Sequence, residues 1–142
     1  MRILVDTNVF IDFILQREGY KDVLNFFIWC KKNNNQTFIT SMSFRDIEYV
    51  AMKNTHDKNK VSSILIDVYS LCSKVIGISA DSTITALYED YKDFEDELII
   101  QSAKEKMLDA IVTNNIKDFE NRGIPAYTPK DIVNSIVTIK IE

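Results

Sequence analysis

Glycine is scarce in this chain, at three in 142 residues, and Gly19, Gly77 and Gly123 lie too far apart to form a Gly-rich phosphate loop or a dinucleotide fingerprint. There is a single histidine, His56, in the polar stretch NTHDKNK, so a Ser-His-Asp or Cys-His arrangement would have to rest on one loop residue. The two cysteines, Cys30 and Cys72, have no second Cys or His nearby at metal-ligand spacing. That argues against zinc and reads as buried thiols in a reducing compartment. No apolar run approaches the roughly 18–20 residues needed to span a bilayer, and a β-like run occupies the place of a signal peptide's apolar region. The expected setting is the cytoplasm, with no membrane association.

What is present is a chain of 142 residues, 46% hydrophobic, enough to bury a core without disulfides. No repeat, low-complexity block or linker breaks it, and a single domain over residues 1–142 is expected. The net charge of −4 argues against a surface that attracts nucleic acid as a whole. It does not exclude a nuclease, which can carry an acidic metal site on its floor and a few basic residues at its rim.

Four short runs, Ile3-Leu4-Val5, Phe38-Ile39, Val75-Ile76-Gly77-Ile78 and Ala110-Ile111-Val112, are apolar on successive residues, as in strands buried on both faces. A fifth strand is expected near Ile124 to Tyr127. Helical patterns fall between them, at about 8–16, 20–33, 42–54, 57–73, 81–92, 95–107 and 129–137. The class is α/β with a parallel sheet. Polar residues follow the runs: Asp6-Thr7-Asn8, Thr40-Ser41, Ser79 with Asp81, and Thr113-Asn114-Asn115. Carboxyl ends of parallel strands share one edge, where ligands bind, so chemistry is expected there.

Acids recur in register with that edge. Asp6 ends the first strand. Glu48 falls in phase with Phe44, Ile47 and Ala51, and Asp96 lies one turn before Ile99 and Ile100; Glu95 and Glu97 fall off that stripe and read as solvated charges. Each has a structural alternative: Asp6 as an N-cap, Asp96 as a partner of a helix dipole, Glu48 as an ion pair with Arg45. Three acids converging from distant segments would instead form a hard-cation site suited to Mg²⁺ or Mn²⁺, and to attack of water on a phosphodiester.

The motifs LVDTNVFID, DFEDELIIQSA and AIVTNNIKDF followed by IPAYTPKDIV, with Glu48 between them, resemble the PIN-domain family, and within it the VapC-like toxin ribonucleases of toxin–antitoxin pairs. The resemblance implies a three-layer α/β/α sandwich with a central parallel sheet of four or five strands, and an Mg²⁺- or Mn²⁺-dependent endoribonuclease. It maps metal and catalytic roles onto Asp6, Glu48 and Asp96, and site-bracing roles onto Thr7, Asn8 and Thr113. Asn115 stands where many relatives have Asp and is carried over as a metal ligand through its carbonyl oxygen, with Asp118, the nearest acid, carried over as catalytic, so one metal or a weakened second is implied; Asp93 contributes from the helix entrance or caps it. Arg17, Arg45, Lys117 and Arg122 are candidate RNA contacts. RNA substrate, a cognate antitoxin and a homodimer are the partners implied, with VLNFFIWC either meeting a partner or fully buried. The competing readings are an inactive PIN scaffold that binds RNA or protein, and a phosphotransfer receiver, which fits poorly because Asp6 stands alone and Gly77-Ile78-Ser79 offers no acceptor.

Overall fold

The computed structural model describes residues 1–141, with side chains through Ser135; Glu142, the last residue of the expected domain, lies outside them. The strands are β1 (Arg2–Val5), β2 (Gln36–Thr40), β3 (Lys74–Ile76), β4 (Ala110–Val112) and β5 (Ala126–Tyr127). The helices are α1 (Thr7–Ile14), α2 (Tyr20–Lys32), α3 (Ser41–Thr55), α4 (Lys58–Leu71), α5 (Ala80–Tyr88), α6 (Phe94–Glu105) and α7 (Pro129–Ile141). All pairings are parallel, in the order β3-β2-β1-β4-β5. Among the described residues no helix is long and apolar enough to cross a membrane.

Alternation within each apolar run divides the core in two. Ile3, Val5, Ile39, Ala110 and Val112 face one side and pack with residues of α1, α2, α3, α4 and α7. Leu4, Phe38, Ile76 and Ile111 face the other and pack with Ile99, Ile100 and Ala103 of α6, on which α5 is laid. The result is three layers, which explains why the strands read as unbroken apolar runs.

The third strand departs from expectation. It spans Lys74 to Ile76, not Val75 to Ile78, and Val75 is 42% exposed. As an edge strand paired only to β2, it needs no apolar residue at every position. A 3₁₀ turn at Ile116–Asp118 was not expected, and the fifth helix stops at Tyr88, not 92. In VLNFFIWC, Val23, Phe26, Phe27 and Cys30 are core, whereas Leu24 and Ile28 are exposed. Cys30 and Cys72 are free thiols, and burial pushes both up to about 12.

Candidate active site

Strand order reverses at β1: the chain runs outward through β2 and β3, then returns to β4 on the other side. The crevice beyond such a switch point is where open parallel sheets bind ligands. Asp6 follows β1 and Thr113 follows β4, side by side. Asp6 occupies the N-cap position of α1, yet its side chain makes no capping bond to that helix. Instead the Thr113 hydroxyl donates to Asp6 Oδ2 at 2.9 Å, and the Asn115 amide donates to the same hydroxyl oxygen at 2.9 Å. Asp6 is 2% exposed, and burial raises its carboxyl to about 6; the Thr113 bond and the Thr7 amide oppose the rise, and Asp93 and Asp12 add to it.

A chain of buried hydroxyls fixes the neighbouring helices. Thr7 Oγ1 lies 2.7 Å from Ser43 Oγ, which lies 3.0 Å from Thr40 Oγ1, and Thr40 caps α3 by accepting from the Ser43 amide at 3.2 Å. Through this contact Thr7 ties α1 to α3. Asn8 is exposed and makes no side-chain hydrogen bond among the described residues.

Ser43, Ile47 and Ala51 are the buried positions of α3. Phe44 is only half-buried, so the stripe is rotated from the one that placed Glu48 inward. Glu48 instead lines a surface hollow with Tyr49, Met52, Lys53 and His56, and is not among the charges acting on Asp6, Glu95 or Asp96. The acid that α3 presents to the site is Asp46, one turn after Ser43. Its Oδ2 is buried and finds no hydrogen-bond partner among the described residues, while its carboxyl lies within hydrogen-bonding reach of that of Glu95. Glu95 is exposed, as expected, yet its carboxyl is pushed well above the carboxylate range by partial desolvation and by Asp46, Asp93 and Asp6.

Asp96 is half-buried, and its carboxyl is raised to about 7 by desolvation, then by Asp6, Asp93 and Asp118. Asp118, on the 3₁₀ turn, is within hydrogen-bonding reach of it and also accepts from the Asn115 side-chain amide. Asn115 therefore braces Asp118. Asp93 caps α6, accepting from the Asp96 amide at 3.1 Å, so its capping role is observed, although its charge also reaches Asp6, Glu95 and Asp96.

Among the described residues none of Asp6, Asp46, Asp93, Glu95, Asp96 and Asp118 forms an ion pair. Among the described residues no group of three is arranged closely enough to enclose a metal ion, and the acids meet in pairs, Asp46 with Glu95 and Asp96 with Asp118. The donor set, all hard oxygen with one buried oxygen atom lacking a partner, nevertheless fits Mg²⁺ or Mn²⁺.

The basic candidates divide. Arg17 pairs with Asp12 at 3.0 Å, and Asp12 also accepts from Asn114 at 2.7 Å, which keeps Arg17 near the edge. Arg45 and Lys117 are exposed, with no side-chain bond among the described residues. Arg122 is turned inward and paired with Glu97, which is 0% exposed and had been expected in solvent. A buried carboxylate needs such a partner, so Arg122 is not a free phosphate contact.

The chain matches a family model described as PIN domain over residues 2–117. It belongs to the PIN-domain family. Among solved structures this PIN chain is similar to one chain of VapBC2 from Rickettsia felis bound to a DNA fragment from their promoter, at 22% identity and TM-score 0.68, over 90% of this chain and 98% of that one. It is also similar to a chain of a toxin–antitoxin complex from Klebsiella pneumoniae, at 27% identity and TM-score 0.63, over 89% and 97%. A chain of FitAB bound to an IR36 DNA fragment superposes with TM-score 0.65 at 13% identity, over 90% and 95%. No curated protein matches the sequence.

Proposed function

We propose that this PIN-domain chain is a divalent-cation-dependent endoribonuclease, the toxin of a toxin–antitoxin pair. The observation that carries the reading is the set of acids at the sheet's switch point, left without a cation among the described residues. Protein carboxylates gathered without counter-charge hold one another protonated, a costly arrangement unless an ion neutralises them. Asp6, Asp46 and Asp96 are the residues we assign to Mg²⁺ or Mn²⁺, with Glu95 and Asp118 beside them. When bound, such an ion makes water a nucleophile at neutral pH and offsets charge on phosphodiester oxygens.

This chain's own residues would do the rest. Thr113 fixes the Asp6 carboxylate, Asn115 fixes Asp118, and the Thr7, Ser43 and Thr40 hydroxyls hold α1 against α3. Arg17, Arg45 and Lys117 are assigned to the phosphates of RNA, positioning the strand without reading sequence. Similarity to a chain of the toxin–antitoxin complex from Klebsiella pneumoniae supports a cognate antitoxin as partner. A homodimer, a cytoplasmic setting and one functional unit over the whole chain complete the proposal.

The test is cleavage of a mixed single-stranded RNA pool with Mn²⁺ by the wild-type protein and its folded Asp6→Asn and Asp96→Asn variants, with an EDTA control. Cutting that vanishes in EDTA and in both variants supports the reading. Equal cutting by all three proteins signals contamination and withdraws support. RNA retention without cutting would favour a binding module instead.

A further inference from the structure

The ion pair between Glu97 and Arg122 stands apart from the acid cluster but joins the two segments that carry one acid pair, Asp96 and Asp118. Glu97 follows Asp96 on α6 and is fully buried. One of its carboxylate oxygens accepts from the Gln101 side-chain amide, one turn along, at 2.7 Å, and the other meets the Arg122 guanidinium. Both oxygens are satisfied, the condition under which a buried ion pair holds its geometry.

The loop bearing Arg122 is shaped around that contact. Asn121 and Gly123, on either side, both have left-handed backbone, with φ of 57° and 84°. Asparagine and glycine are the residues that adopt it at least cost. Beyond them Phe119 and Ile124 are buried in the core on the α6 side of the sheet. Asp118 immediately precedes Phe119, so the segment that carries it is anchored to α6 both by apolar burial and by the Arg122 pair. Asp96 and Asp118 repel each other when ionised, and something must hold the turn in place against that repulsion.

We propose that Glu97 and Arg122 form a positioning clamp that fixes the 3₁₀ turn bearing Asp118 against the helix bearing Asp96, and so sets the cation affinity of that half of the site. The clamp rests on the assignment of the acids to a metal. Neither residue touches substrate. Their contribution is to the separation of the two carboxylates before the ion arrives, not to the reaction that follows.

The test is Mn²⁺ affinity measured by calorimetry on full-length Arg122→Lys, Arg122→Met, Glu97→Gln and Asp96→Asn proteins, with thermal stability recorded for each. Arg122→Lys keeps the charge at a partly exposed position and serves where Arg122→Met fails to fold. Loss of a residue that orients a metal ligand without touching the ion weakens metal binding by about 10–100-fold, the expected result for Arg122→Met and Glu97→Gln, with Arg122→Lys between them and wild type. At saturating Mn²⁺ the rate of RNA cleavage should remain within about threefold of wild type, the split between affinity and turnover that a loss confined to metal binding would give. Ile132→Val, a core change on α7, is the control for lost stability. If it weakens Mn²⁺ binding as much as the clamp variants do, the clamp is overturned. Unchanged affinity in the clamp variants, with binding lost in Asp96→Asn, overturns the clamp and leaves the metal centre standing. No Mn²⁺ binding by the wild-type protein overturns both.

Discussion

Thr113 donates its hydroxyl hydrogen to Asp6 Oδ2 at 2.9 Å, joining the ends of β4 and β1 across the point where strand order reverses. Thr113→Val keeps the shape and removes the donor. In the absence of metal the variant should lose about 1–3 kcal/mol of stability at neutral pH, the cost of a buried acceptor left unmet. Mn²⁺-dependent cleavage should fall by about 10–100-fold. Denaturant unfolding in EDTA and single-turnover cleavage check the two effects.

Stability of the metal-free protein should fall as pH rises. Asp6 and Asp96 titrate in the fold at about 6 and about 7, above the ordinary value of 3.8, so the native state binds more protons than the unfolded chain. Stability is greatest below the unfolded value and is lost as pH rises through the folded values, between about pH 4 and 7. For Asp6 alone the loss is on the order of 3 kcal/mol. Melting curves in EDTA at pH 5 and pH 8 should show the higher midpoint at pH 5, and Mn²⁺ should shrink the gap.

Asp46 and Glu48 lie two positions apart on α3, on either side of Ile47, and in different surroundings. Asp46→Asn should lower Mn²⁺-dependent cleavage by about 100-fold, whereas Glu48→Gln should leave it within about threefold, on the scale of losing a ligand against losing a surface charge. Kinetics on the two purified variants, with circular dichroism for folding, decide between them.

Removing a cluster charge should stabilise the metal-free protein. Asp6→Asn should melt higher than wild type in EDTA at pH 8 while no longer gaining stability from Mn²⁺, the usual exchange between stability and a charged active site. A variant that melts lower in EDTA would count against burial as the source of the raised carboxyl.

Cys30 and Cys72, with thiols pushed up to about 12, should react with a disulfide reagent at pH 8 far more slowly than free cysteine, and should titrate fully only after unfolding. Absorbance of the released chromophore, with and without denaturant, provides the count.

The sheet was legible because strands buried on both faces leave unbroken apolar runs, and the switch point because polar residues closed those runs. Asp6 and Thr113 could be placed from their positions at those ends, and Asp96 from its register one turn before Ile99 and Ile100. Asp46 was missed for a specific reason. The buried stripe of α3 begins with Ser43, a polar residue hidden by its bonds to Thr7 and Thr40, so an apolar pattern started one residue late at Phe44 and carried Glu48 inward with it. Glu97 was misread likewise: α5 packs on α6 and widens its buried face beyond the apolar stripe to take in Glu97, Gln101 and Ser102, while Glu95, Lys104 and Glu105 remain exposed. Its partner Arg122 lies 25 residues away, beyond the reach of helical periodicity.

The central position of β1 also governs when the site exists during synthesis. Strand β1 emerges first, but its neighbour β4 ends at Val112 and the turn bearing Asp118 follows. Pairing between segments so distant in sequence is slow, and a chain made from its N-terminus cannot begin it until most of its length has appeared. A ribosome-bound fragment that stops short of residue 112 would carry Asp6, Asp46 and Asp96 as separate charges with no β4 to gather them around. The activity proposed for the assembled acids is therefore withheld from the nascent chain until β4 has been made.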